Sequence, residues 1–146
     1  TNSSPQEAID AKPDDKEPKD DGPKGDYVMK ADMDHYFAVL VPNQAAKMSE
    51  VRVQMSDFNQ EYFRTESFKV TNSFLNPDLQ MLLVRTFADK QQALGYLTAY
   101  RNDSKVLGGF NDQGFEVLVI TSKNFATLFK TKDVSGYLDF FRANYE

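Results

Sequence analysis

His35 is the only histidine in the chain, and no cysteine accompanies it. A single imidazole excludes His pairs and His-rich metal sets, and the lack of thiols excludes disulfides, thiolate nucleophiles and thiolate metal sites. Nucleophilic catalysis of the Ser-His-Asp kind would have to be built around His35, with Asp34 as the carboxylate at hand. Adjacent residues on a strand point to opposite faces, so Asp34 is poorly placed to orient the ring. His35 is therefore expected at a solvent-facing or strand-edge position, without a catalytic role.

Other spacings that suggest chemistry lead to the same result. The glycine-rich stretch "LGGFNDQGF", residues 107–115, precedes a strand-like run and lacks the Lys-Ser/Thr of a phosphate-binding loop. Its glycines are expected to end a helix and turn the chain into the next strand. The aspartate pairs 14/15 and 20/21 lie in a segment with no means of holding a fixed separation for acid/base work. "DDGPKGD" has three acids but neither the alternating ligands nor the closing Glu of a calcium loop. No catalytic residue, metal site or cofactor is expected.

Charge divides the chain in two. Residues 1–33 hold nine acids, five bases, four of the six prolines and no phenylalanine, whereas residues 34–146 hold thirteen acids, twelve bases and all twelve phenylalanines. The first segment buries too little apolar surface to offset its ordering entropy and is expected to be a disordered acidic linker. The second is expected to fold as one domain and is nearly neutral. A neutral domain lacks the basic field that nucleic acid or an anionic membrane surface would require. No apolar run approaches the roughly 20 residues that cross a bilayer, so no membrane insertion is expected. The chain opens at Thr1 with linker-like composition, which suggests the C-terminal piece of a longer protein.

The elements that position any site follow from hydrophobic period. Tyr36 to Val41 reads as a strand ended by Pro42, with Asn43 expected to cap a helix carrying Ala45, Met48, Val51, Met55, Phe58 and Tyr62 on one face. "SFKVTNSF" and "LQMLLVRTF", separated by Asn76-Pro77-Asp78, predict a hairpin. Asp89 is expected to cap a second helix with Ala93, Tyr96, Leu97 and Tyr100 inward. "FEVLVIT", 115–121, predicts the fourth strand. A short helix over 122–130 then has Phe125, Leu128 and Phe129 inward, and a last helix after Asp133 carries Val134, Tyr137, Leu138, Phe141 and Tyr145. The predicted fold is α+β: a ferredoxin-like β-α-β-β-α-β sandwich with two additional C-terminal helices. Both internal helices would cover one sheet face, and the two C-terminal helices are candidates to cover the other.

The strings "HYFAVLVPN", "MSDFNQEYF", "MLLVRTFADKQQALGYL" and "VLVITSKNFATLFKTKDVSGYLDFFRANY" resemble the C-terminal domain of tetratricopeptide-repeat proteins of Bacteroidetes. That group includes outer-membrane lipoproteins associated with gliding motility and type IX secretion. The resemblance covers roughly residues 35–146. It implies a cell-envelope protein on the periplasmic side, anchored through an upstream region, with repeats ahead of Thr1 and envelope proteins as partners. It carries over no catalytic residues.

A more distant similarity is to the SPOR domains, ferredoxin-like modules that bind the glycan strands of peptidoglycan on an open sheet face. The shared part is a strand with an arginine, a turn and an alanine-containing helix in "LLVRTFADKQQALGYLTAY". By that analogy Tyr36, Phe68, Arg85 and Phe87 would contribute to a glycan surface; the competing assignment for all four is core or sheet-face packing. The expected function is a non-enzymatic protein-interaction or scaffolding module, with glycan binding as the alternative.

Overall fold

A computed structural model of the chain describes residues 25–43, 48–103 and 115–146. Strands β1 (His35–Pro42), β2 (Lys69–Asn76), β3 (Leu79–Phe87) and β4 (Glu116–Thr121) form one antiparallel sheet in the order β2-β3-β1-β4. Helix α1 (Met48–Tyr62) falls between β1 and β2 in sequence, α2 (Lys90–Asn102) between β3 and β4, and α3 (Ser122–Thr131) and α4 (Val134–Tyr145) after β4. Element order and strand order are those of the ferredoxin-like fold with two helices added, as the hydrophobic periods predict.

The central strand β1 is apolar at almost every position because both of its faces are buried. Phe37, Val39 and Val41 point to the side of α1 and α2, where Phe37 meets the rings of Tyr96 and Tyr100. Ala38 and Leu40 point the other way, in register with Leu83 and Met81 on β3, and Ala38 also with Leu118 on β4. These far-face residues and Ile120 are buried as well. The sheet is therefore not open across its centre. Helix α3 reaches the far face, with Phe125 against the Tyr36 ring.

The pairing of β1 with β3 contains an irregularity near its end. His35 pairs with Phe87 and Phe37 with Val84, so three steps along β3 match two along β1. The extra residue reverses the in-out alternation after Arg85. Arg85 stays on the far face, opposite Lys69 of β2, while Phe87 turns to the helix side.

Helix starts follow their capping chemistry. Asp89 Oδ1 accepts from Gln92 N at 2.9 Å, Thr121 Oγ1 from Asn124 N at 3.0 Å, and Asp133 Oδ1 from Gly136 N at 3.1 Å. Each satisfies an amide that the helix leaves unpaired. Asn43 does something else: its backbone N donates to Asp78 O and its side-chain amide to Pro77 O, tying the end of β1 to the β2–β3 turn. The helix start that Asn43 is expected to cap lies outside the described residues, and α1 is described from Met48. The turn expected at Gly108 and Gly109 lies outside the described residues. Lys132, after α3, adopts the left-handed conformation (φ 62°).

The packed part of the chain reaches back to Gly25, ahead of the expected boundary at residue 34. Gly25 N donates to Asp133 Oδ2 and the Tyr27 hydroxyl to Asp133 O, both at 2.9 Å. Tyr27 also sets its ring edge against Tyr137. Val28 N donates to Asn124 Oδ1 at 3.1 Å, and Asn124 Nδ2 returns a bond to Val28 O at 2.9 Å. Lys90 N donates to Ala31 O. The apolar residues Tyr27, Val28 and Met29 are the sequence signal for this ordering. Asn124→Ala removes both bonds to Val28 from a buried position. It is expected to lower stability by about 1–2 kcal/mol, because Val28 is exposed enough for water to replace part of the loss. Thermal melting and amide exchange check it; unchanged exchange over 27–31 would refute the clamp.

Candidate functional site

The four residues singled out by the SPOR-like analogy do not share one surface. Phe68 and Phe87 meet as tilted rings 4.7 Å between centroids and both pack on Tyr96, on the helix side of the sheet. Tyr36 and Arg85 are on the far side, with the guanidinium carbon 5.5 Å from the Tyr36 ring centroid. The bulge in β3 is the physical reason for the split, since without it residues 85 and 87 would point the same way.

On the far side a row of groups crosses three strands. Lys69 of β2 sits opposite Arg85 of β3, and Arg85 lies over Tyr36 of β1. Helix α3 extends the row: Tyr36 meets Phe125 edge-on at 5.7 Å, and Phe125 meets Phe129 at 5.9 Å. Lys132 closes it, with Nζ 4.1 Å above the Phe129 centroid. A strip of three rings thus carries a cation over the ring at each end. Phe129, expected inward, is 40% exposed. Sequence reasoning does not single out Lys69, Phe125, Phe129 or Lys132 as site residues. The spacing of Phe125 and Phe129, one helical turn apart and just ahead of Lys132, is the signal that could find them.

The strip has an excess of positive charge. Among the described residues the ion pairs lie elsewhere, between Arg101 and Glu146 and between Arg142 and both Glu116 and Asp139. Asp133, next to Lys132 in sequence, uses its carboxylate on the amides of Gly25 and Gly136. Lys69 and Arg85 are like charges directly opposite each other, an arrangement that destabilises a strand pair.

The helix side carries a cleft. Phe63, Glu66, Phe68, Phe87, Gln92, Gly95 and Tyr96 line a cleft of about 370 Å³. Its walls belong to the aromatic core, because Tyr96 is fully buried and its hydroxyl donates to Asn59 Oδ1 at 2.6 Å. Burial raises the Tyr96 phenol well above its ordinary value.

His35 is not at a strand edge facing solvent. It is fully buried, with Nδ1 2.6 Å from Met33 O and Nε2 2.9 Å from the Tyr145 hydroxyl. A carbonyl only accepts, so Nδ1 carries the proton and Nε2 accepts from Tyr145. Burial lowers the imidazole below its ordinary value, and Lys90 acts in the same direction, against the Met33 carbonyl, Asp89 and Asp34. Both nitrogens are committed to joining β1 to α4 and to the segment before it. Among the described residues no group of three or more His, Asp or Glu side chains is placed to hold a metal ion, and no helix is long and apolar enough to cross a membrane. No family model, no curated protein and no solved structure matches the chain.

Proposed function

We propose that residues 25–146 form a non-enzymatic interaction module of a cell-envelope protein and that the module holds a protein partner through the far-face strip. The envelope setting rests on the resemblance of the motifs over 35–146 to the C-terminal domain of tetratricopeptide-repeat envelope proteins. The observation that carries the binding role is the strip itself, which places Arg85, Tyr36, Phe125, Phe129 and Lys132 together on the side away from α1 and α2. A photo-activated cross-linking residue in place of Phe129, in the full chain in its native host, tests the reading. Protein adducts at this position, absent when the same residue replaces Val53 on α1, are expected. No adduct at Phe129 above the Val53 background would overturn it.

A second reading, binding of peptidoglycan glycan, is favoured by one observation: Tyr36 and Arg85 do stand together on the sheet face away from the helices. Against it, the centre of that face is buried, with Ala38, Leu40, Leu118 and Ile120 at most 3% exposed. An amide-resolved titration with glycan strands stripped of their stem peptides separates the two readings. Shifts at Tyr36 and Arg85 support the glycan; an unmoved spectrum at millimolar glycan removes it.

A further inference from the structure

The chemistry of the strip narrows what it can hold. In each terminal pair the cation lies over the ring: Arg85 over Tyr36 at 5.5 Å and Lys132 over Phe129 at 4.1 Å. A neutral sugar stacks its C–H groups on a free aromatic face, and here one face of each terminal ring is already taken by a cation. The ring perimeters and the cationic heads remain for a ligand. An aromatic edge is the positive part of the ring quadrupole, so edges and heads have the same sign. Both suit an anion.

The surrounding charges point the same way. Lys69 and Arg85 face each other across β2 and β3, a repulsion that an anion between them relieves. Two carboxylates close to the strip in sequence are committed elsewhere: Asp133 to Gly25 N and Gly136 N, and Asp89 to Gln92 N. The strip also runs from β2 across the sheet to the end of α3, with cations at both ends and apolar rings between. That pattern matches an extended peptide whose carboxylates are separated by apolar or small residues.

We propose that the strip formed by Lys69, Arg85, Tyr36, Phe125, Phe129 and Lys132 is a docking surface for an acidic peptide segment of a partner protein. The inference rests on the reading of the chain as an interaction module and names the chemistry of its partner. Carboxylates sit on the Lys69/Arg85 pair at one end and on Lys132 at the other, and the rings between them exclude water from the contact.

The test uses the full 146-residue chain and two labelled peptides of equal length, one with alternating Glu and Ala and one with alternating Gln and Ala, followed by fluorescence anisotropy. The glutamate peptide is expected to bind with amide shifts at Tyr36, Arg85, Phe125 and Lys132, and the binding to weaken as salt rises. The glutamine peptide is expected to bind at least about tenfold more weakly, the ratio that a difference of about 1.4 kcal/mol gives. Arg85→Gln and Lys132→Gln are each expected to weaken binding about two- to fivefold, the range of an exposed ion pair. Phe68→Leu in the helix-side cleft should leave it unchanged. Lys132 is exposed, so its variant reports even where the half-buried Arg85 cannot be replaced without loss of fold. Equal binding of the two peptides, or none at millimolar concentration, overturns the proposal. Binding of oligogalacturonate without the glutamate peptide overturns it in favour of an acidic glycan. Protein adducts at Phe129 alongside a silent glutamate peptide would leave the interaction module standing and remove only the acidic partner.

Discussion

Tyr96→Ala is expected to lower the stability of the chain by about 3–5 kcal/mol, the range for removing a large aromatic side chain from a packed core. Tyr96 is fully buried and its ring lies within 4.9–5.7 Å, centroid to centroid, of Phe37, Phe58, Phe63, Phe68 and Phe87. These rings come from β1, α1, the segment between α1 and β2, and β3, so one deletion loosens every element on the helix side. A domain of this size has roughly 5–15 kcal/mol in total, and the variant is expected to unfold at much lower urea or not to accumulate. Tyr96→Phe supplies the control. It keeps the ring and removes only the bond to Asn59, for about 1 kcal/mol. Urea unfolding of both separates ring packing from the hydroxyl. An alanine variant within about 1 kcal/mol of the parent, the size of one hydrogen bond, would mean that the cluster is held by its other members.

Acidification is the second expected weakness, and it should act through His35. The folded state lowers the imidazole's affinity for a proton, first by burial, whereas in the unfolded chain it titrates near 6.5, roughly the value of a free histidine. Below about pH 6.5 the unfolded state therefore binds the proton first. Stability from this group is complete above that pH, falls as pH drops toward the depressed folded value, and is level below it. The Nε2 contact adds to the acid sensitivity, because this nitrogen accepts from Tyr145 and must become a donor on protonation. Burial raises the Tyr145 phenol to about 12, so the hydroxyl stays protonated throughout, and Lys90 Nζ lies 5.3 Å from the Tyr145 ring centroid. His35→Ala should cost about 2–3 kcal/mol at about pH 8, because Met33 O and the Tyr145 hydroxyl lose their partner. It should also flatten the stability profile between about pH 6.5 and the range where carboxylates titrate. Denaturant midpoints measured across this range decide the matter. A slope of equal size in parent and variant would assign the acid sensitivity to other groups.

Local pattern makes the fold legible, and long-range pairing hides most of the site. Alternating and continuous apolar runs mark all four strands, and Asp89 is readable as a cap because its carboxylate has to meet an amide three residues on. Period two assigns the side chains of Arg85 and Phe87 to one face, and only the bulge opposite Tyr36 shows that they diverge. The spacing from Phe125 places Phe129 inward. It is exposed because α3 is a single short helix whose buried positions are Asn124 and Leu128. The burial of His35 depends on Tyr145, 110 residues later in the chain, and no local window contains that contact. The ordering of residues 25–33 likewise depends on Asn124 and Asp133, which a composition count over 1–33 does not see.

The left-handed turn at Lys132 sets stability against binding at one position. With φ at 62° it occupies the conformation that glycine adopts without strain at the end of a helix. A side chain there costs about 1 kcal/mol, so Lys132→Gly should raise the melting temperature slightly while it removes the cation from the Phe129 ring. A library selected only for thermal tolerance would be drawn to glycine at this site and would lose the peptide contact. One selected for binding would keep the lysine and accept a less durable fold.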